Sequence, residues 1–158
     1  MRTCVLGLAV VVGLAGVARA AEEKVPVDKL PKAVIDGVKK RFPKAELLEG
    51  AKETANGKTT YEVLLKDGVH KVDVSLSDDG KITGMEKELA LGDLPKPVAA
   101  ALKAKYPKAT FQRFEEVIHV KDGKEVSEYY EAIVAVGDMK PFEVEVMPDG
   151  TIKEPAKK

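Results

Sequence analysis

Few residues in this sequence are of types that do chemistry, and their spacing does not assemble a site. General acid–base work needs a titratable group with a positioned partner, and the two histidines, His70 and His119, stand apart with none nearby in sequence. His119 lies between Ile118 and Val120, on the opposite side of an alternating strand, and His70 is followed by Lys71 near a strand edge, so both read as solvent-side residues. Ser75, Ser77 and Ser127 lack the G-x-S-x-G turn that presents a nucleophile. Asp78-Asp79 could offer oxygens to calcium, but Ser77-Asp78-Asp79-Gly80 has the form of a hairpin turn and not of an EF-hand loop. Glu115-Glu116 would project to opposite faces of a strand, which is wrong for a shared ion. No catalytic, cofactor-binding or metal-binding residue is assigned, and this inventory points away from an enzyme.

The elements that would carry any site begin after the first twenty residues. Arg2, the apolar run Val5 to Val17 and Ala18-Arg19-Ala20 form a secretory signal, with cleavage expected near Ala20. The run is shorter than the roughly 20 residues of a membrane span, and nothing later approaches one, so the mature chain is expected to be exported, periplasmic or secreted. Cys4, the single cysteine, precedes the run and leaves with it, which excludes disulfides, thiolate nucleophiles and zinc–thiolate sites from the mature chain. Cleavage also removes Arg2 and Arg19 from 26 basic residues, leaving 24 against 26 acidic ones, a net charge of −2. That balance offers no basic footprint for nucleic acid.

Two stretches of the mature chain are near copies. LPKAVIDGVKKRFPKA, from Leu30 to Ala45, returns as LPKPVAAALKAKYPKA, from Leu94 to Ala109, and internal repetition constrains architecture before local propensity does. Leu30, Val34, Val38 and Phe42 recur at helical spacing, as do Leu94, Val98, Leu102 and Tyr106, predicting helices over 30–42 and 94–106 with one apolar stripe each. Pro31 and Pro95 suit a first turn, Asp28 and Asp93 stand upstream as caps or dipole partners, and Phe42-Pro43 and Tyr106-Pro107 end the helices.

Beyond each helix the apolar period shortens to two. Strands are expected near 46–54, 59–66, 70–76 and 81–88, then near 110–121, 125–136, 140–147 and 151–154. Asn56-Gly57, Asp67-Gly68, Asp79-Gly80, Asp122-Gly123 and Asp149-Gly150 supply tight hairpin turns, so the pairing is antiparallel. The expected fold is α+β, a tandem repeat of one helix packed on a four-stranded antiparallel meander. The copies occupy 21–91 and 92–158, with extra residues in the 111–136 hairpin of the second.

An L-P-x-x-V helix ending in aromatic-Pro-x-A, followed by Tyr61-Glu62-Val63 or Tyr130-Glu131-Ala132 and by Asp79-Gly80-Lys81-Ile82 or Asp149-Gly150-Thr151-Ile152, resembles the PepSY-like domains grouped with β-lactamase-inhibitor-like exported proteins. The resemblance implies a helix across one sheet face, duplicated in tandem, with the other face open to a partner protein. It implies a binding or inhibitory module of the envelope in place of an enzyme. The disulfides of the secreted β-lactamase inhibitors are missing here, and their inhibitory contact residues have no counterpart, so inhibition of β-lactamase itself is not implied.

Partner-binding residues are sought where the copies diverge. Tyr129 and Tyr130 are consecutive, so one faces the helix and the other faces out, and simple alternation puts Phe111 on the face opposite Phe114. Phe111, Tyr129 and Tyr130 are therefore the candidate anchors for a protein on the exposed sheet face, the competing expectation being an internal contact between the copies. The alternative function is a scaffold for a small ligand, a metal ion or an anionic surface. It draws on the basic helix face of Lys39-Lys40-Arg41 and Lys103, Lys105 and Lys108.

Overall fold

A computed structural model describes residues 22–153; the expected signal segment 1–20 lies outside them. Eight strands form one antiparallel sheet in sequence order. They are β1 (Glu23–Lys24), β2 (Glu46–Ala55), β3 (Lys58–Asp67), β4 (His70–Ser77), β5 (Ile82–Leu89), β6 (Thr110–Lys121), β7 (Lys124–Ala135) and β8 (Phe142–Val146). Two helices, α1 (Lys32–Arg41) and α2 (Lys96–Lys105), lie on one face. Both hairpins with positive φ on two consecutive residues, Asn56-Gly57 and Asp122-Gly123, fall where the sequence places them.

The apolar stripes do the anticipated work. Val34 and Val38 are fully buried beside Val63, Leu65, Val74 and Leu76, and Val98 and Leu102 are buried beside Ala132, Val134 and Val146. Leu30 and Leu94 join these clusters from extended positions just ahead of the helices. Pro31 and Pro95 are N-caps in extended conformation, one position ahead of the first turn expected for them. Asp28 and Asp93 do not cap the α-helices. Asp28 sits inside a short 3-10 turn, and the Asp93 carboxylate accepts from the Ala90 amide at 3.3 Å within another.

The sheet does not divide into two four-stranded meanders. β5 pairs with β6 from Gly84–His119 to Leu89–Phe114, making one continuous surface. A strand not anticipated, β1, adds to β2, while the last expected strand reduces to a single bridge between Val146 and Ile152. The long β6–β7 hairpin is held against the first helix. Its Glu125 meets Arg41 at the end of α1 through two hydrogen bonds, Nε at 2.6 Å and Nη2 at 3.1 Å, tying the hairpin to the first helix.

Two irregularities decide which side chains face where. The register of β6 against β7 slips between Phe111 and Arg113, and again between Val117 and Ile118. A bulge adds one residue and so reverses alternation beyond it. The first slip turns Phe111 onto the helix side, where its ring lies 5.6 Å from that of Phe114. Expecting Phe111 on the opposite face was wrong for this reason.

Candidate functional site

With both helices on one side, the other face of the sheet has no covering element among the described residues. Register identifies its residues. Thr60, Glu62 and Leu64 of β3 stand opposite Ser77, Ser75 and Asp73 of β4, and Asp73 stands opposite Glu86 of β5. Further along, Glu88 stands opposite Glu115, Glu115 opposite Glu131, and Glu131 opposite Glu145. Four consecutive strands thus present carboxylates directly across from one another. Like charges in that relation are destabilising, and sheets normally pair opposite signs there.

The cost is visible in the protonation equilibria. Glu62, Glu86 and Glu131 are each pushed up to about 7 and Asp73 to about 6, foremost by loss of water, with neighbouring carboxylates adding to the rise and the Arg113 guanidinium opposing it at Asp73 and Glu131. Glu115 is raised for the same leading reason, partly offset by the Arg113 guanidinium, whose Nη2 lies 3.1 Å from its carboxylate. Arg113 Nε and Asp73 Oδ1 are buried atoms without a hydrogen-bond partner. No group of three or more His, Cys, Asp or Glu side chains among the described residues converges to hold a metal ion. The carboxylates form a line, not a cage.

Tyr129 belongs to this face. It is half-buried on β7 opposite Val117, and its phenol is pushed upward by burial and by Glu131, Glu145, Glu86 and Glu128. The ammonium of Lys153 sits 4.3 Å above its ring and 3.0 Å from Glu145 Oε2. Tyr130, the consecutive residue, points the other way. It is buried in the second core and its hydroxyl donates to Glu116 at 3.3 Å, alongside the Ser127 hydroxyl, which donates to the same oxygen. The expected division of the two tyrosines is therefore seen, with Tyr130 committed to packing. Of the three expected anchors, the structure leaves Tyr129 on the open face and places Phe111 and Tyr130 on the helix side.

His119 is exposed on the open face, as expected. His70 is not a solvent-side residue: it shares the helix side with Val72 and Val74, and its Nδ1 lies 3.0 Å from the Glu88 carbonyl oxygen. Glu115 and Glu116 do project to opposite faces. The acidic row was missed as a unit, although alternate-position acids in Met85-Glu86-Lys87-Glu88 and Phe142-Glu143-Val144-Glu145 were a usable signal.

The sequence matches the profile of the family described as β-lactamase-inhibitor-like, PepSY-like, over residues 18–84 and again over 59–154. The chain belongs to the PepSY-like family. Solved structures similar to this PepSY-like chain share its fold at low identity. A BLIP-like protein from Bacteroides fragilis is 16% identical with a TM-score of 0.60, covering 82% of this chain and 85% of that one. A DUF2874 family protein from Bacteroides uniformis is 15% identical with a TM-score of 0.63, covering 78% and 86%. Another from Bacteroides ovatus is 16% identical with a TM-score of 0.62, covering 78% and 84%. No curated protein matches the sequence.

On its helix side the PepSY-like chain has a recess of about 280 Å³ lined by Phe42, Val72, Met85 and Ile118 together with Arg41, Asp67, His70 and Lys87. Its charges are mixed and Arg41 is already paired with Glu125, so it has no clear selectivity for either sign. Among the described residues no helix is long and apolar enough to cross a membrane.

Proposed function

We propose that this chain is an exported, non-enzymatic module that docks a protein on the open face of its sheet. The observation that carries the reading is the contrast between the faces. One buries two apolar clusters under α1 and α2, whereas the other keeps Tyr129 and a row of half-buried carboxylates uncovered. Residues that lower stability and have no structural task are the ones expected at a recognition surface. The inhibitor-like description of the family supports a binding role over catalysis, and the signal-like start of the sequence supports export.

The same reading treats 21–91 and 92–158 as copies of one unit. Support comes from the repeated helix and from matched turns: Gly80 packs against the backbone of Ala33, and Gly150 against Pro97. The duplication would serve to build a binding surface wider than either copy.

The test uses the mature chain, immobilised and exposed to envelope extract. A partner docked on the open face is retained by the native chain, lost with Tyr129→Ser, and still retained by Asp36→Asn on the helix face. Equal retention by Tyr129→Ser and the native chain, with both folded, would sink the reading.

A further inference from the structure

We infer that the occupant of the open face is a cationic one, an extended lysine- or arginine-rich segment of the partner protein; this rests on the docking reading above. The row Glu88, Glu115, Glu131 and Glu145 is one-signed although the chain as a whole is nearly neutral, with 26 basic and 26 acidic residues in the full sequence. Lys66 and Lys71 of the same face stand opposite each other on β3 and β4 away from this row, and Lys39, Lys40, Arg41, Lys103 and Lys105 are exposed on the helix side. The row is thus a local concentration of negative charge, and complementary potentials are what steer and select partners.

The arrangement of the acids also selects the shape of the occupant. Glu88, Glu115, Glu131 and Glu145 follow one another across four strands. At roughly 4.8 Å between strands, they span about 14 Å, the length of an extended segment of about four or five residues. Such a line is satisfied by several separate cations and not by a single ion.

A second observation shows the chemistry in place. Lys153 has laid its ammonium over the Tyr129 ring and against Glu145, at the β8 end of the same row. An aromatic face beside a carboxylate is a seat for an alkylammonium or guanidinium. Among the described residues, the internal counter-charge at the remaining positions of the row is Arg113, paired with Glu115. A partner's lysines would take the Glu131 and Glu88 positions and extend the pattern that Lys153 begins.

The experiment measures fluorescence anisotropy of a labelled hexalysine peptide with the mature chain at pH 8 and low salt, beside hexaserine and hexaglutamate. Hexalysine is expected to bind, the other two not, and Glu115→Gln with Glu131→Gln to weaken binding by about tenfold or more while Asp36→Asn leaves it unchanged. Lys153→Ala should tighten it, because a competing ammonium is gone. Equal binding by the native chain and the double variant, equal binding of hexalysine and hexaserine, or calcium binding in place of hexalysine would each overturn the inference. If hexalysine fails while a captured partner still depends on Tyr129, the cationic occupant falls and the docking face stands. If the captured partner is indifferent to Tyr129 as well, both fall.

Discussion

A Cβ added to Gly37 would lie 2.1 Å from the carbonyl oxygen of Gly80. The β4–β5 turn is thus pressed against the middle of α1, and the glycine inside the helix is there to permit it. In an exposed helix, glycine to alanine normally gains about 0.5–1 kcal/mol through backbone entropy. Here the sign should reverse. Gly37→Ala is expected to cost about 2–4 kcal/mol, because backbone must move to admit the methyl. Gly92→Ala, whose Cβ meets nothing within 4 Å, should be neutral or slightly stabilising. Chemical denaturation of both variants checks the pair.

Stability should rise as pH is lowered from 8 towards 5. Glu62, Glu86 and Glu131 have folded values of about 7 against an ordinary 4.5, and Asp73 about 6 against 3.8. A group raised on folding contributes stability that is fully present below its unfolded value and is lost as pH rises through its folded value. For these four the loss runs from about pH 4 to about pH 7. Asp79, lowered to about 2, together with Glu125 and Asp149, has the opposite sign and loses its contribution only under stronger acid. After allowance for screening on an open face, a net gain of about 1–2 kcal/mol, or ~5 °C in Tm, is expected between pH 8 and 5. A Tm that falls steadily over that range would contradict it.

Glu131→Gln isolates the row from the rest of the protein. It removes the charge between Glu115 and Glu145 while keeping the shape of the side chain. At pH 8 it should stabilise by about 0.5–1 kcal/mol, and at pH 5, where the carboxyl is already protonated, by nearly nothing. Thermal melts at the two pH values read the difference.

Much of the fold is legible in the residues themselves, since helix stripes and hairpin turns are local patterns. Leu30 to Phe42, the Asn56-Gly57 turn and the alternation of Val72, Val74 and Leu76 each report through neighbours in sequence. Phe111 does not, because the bulge that turns it inward depends on how β6 fits β7. The acidic row is hidden for a related reason. Glu88, Glu115, Glu131 and Glu145 are ordinary strand-surface acids until register sets them side by side, and register is a property of the pairing, not of any one strand. His70 likewise looked peripheral because its contact, the Glu88 carbonyl, comes from the neighbouring strand.

The Arg41–Glu125 pair should contribute modestly. Its side chains remain 47% and 38% exposed, so water competes for both charges. Arg41→Ala is expected to cost up to about 1 kcal/mol at low salt and less at high salt, part of the loss coming from the contact of the guanidinium with the Phe42 ring at 4.8 Å. Denaturation at two ionic strengths measures it, and a cost that grows with salt would be inconsistent with the pairing.

Carboxyl footprinting tests the central claim most directly, because the proposed surface consists of carboxylates. The mature chain is labelled with a water-soluble carbodiimide and an amine, free and with its captured partner, and the modified residues are located by mass spectrometry. Partner-dependent protection of Glu115, Glu131 and Glu145, with Asp36 on α1 labelled equally in both states, is the predicted result. Protection of Asp36 with an unchanged acidic row would place the partner on the helix side and contradict the account.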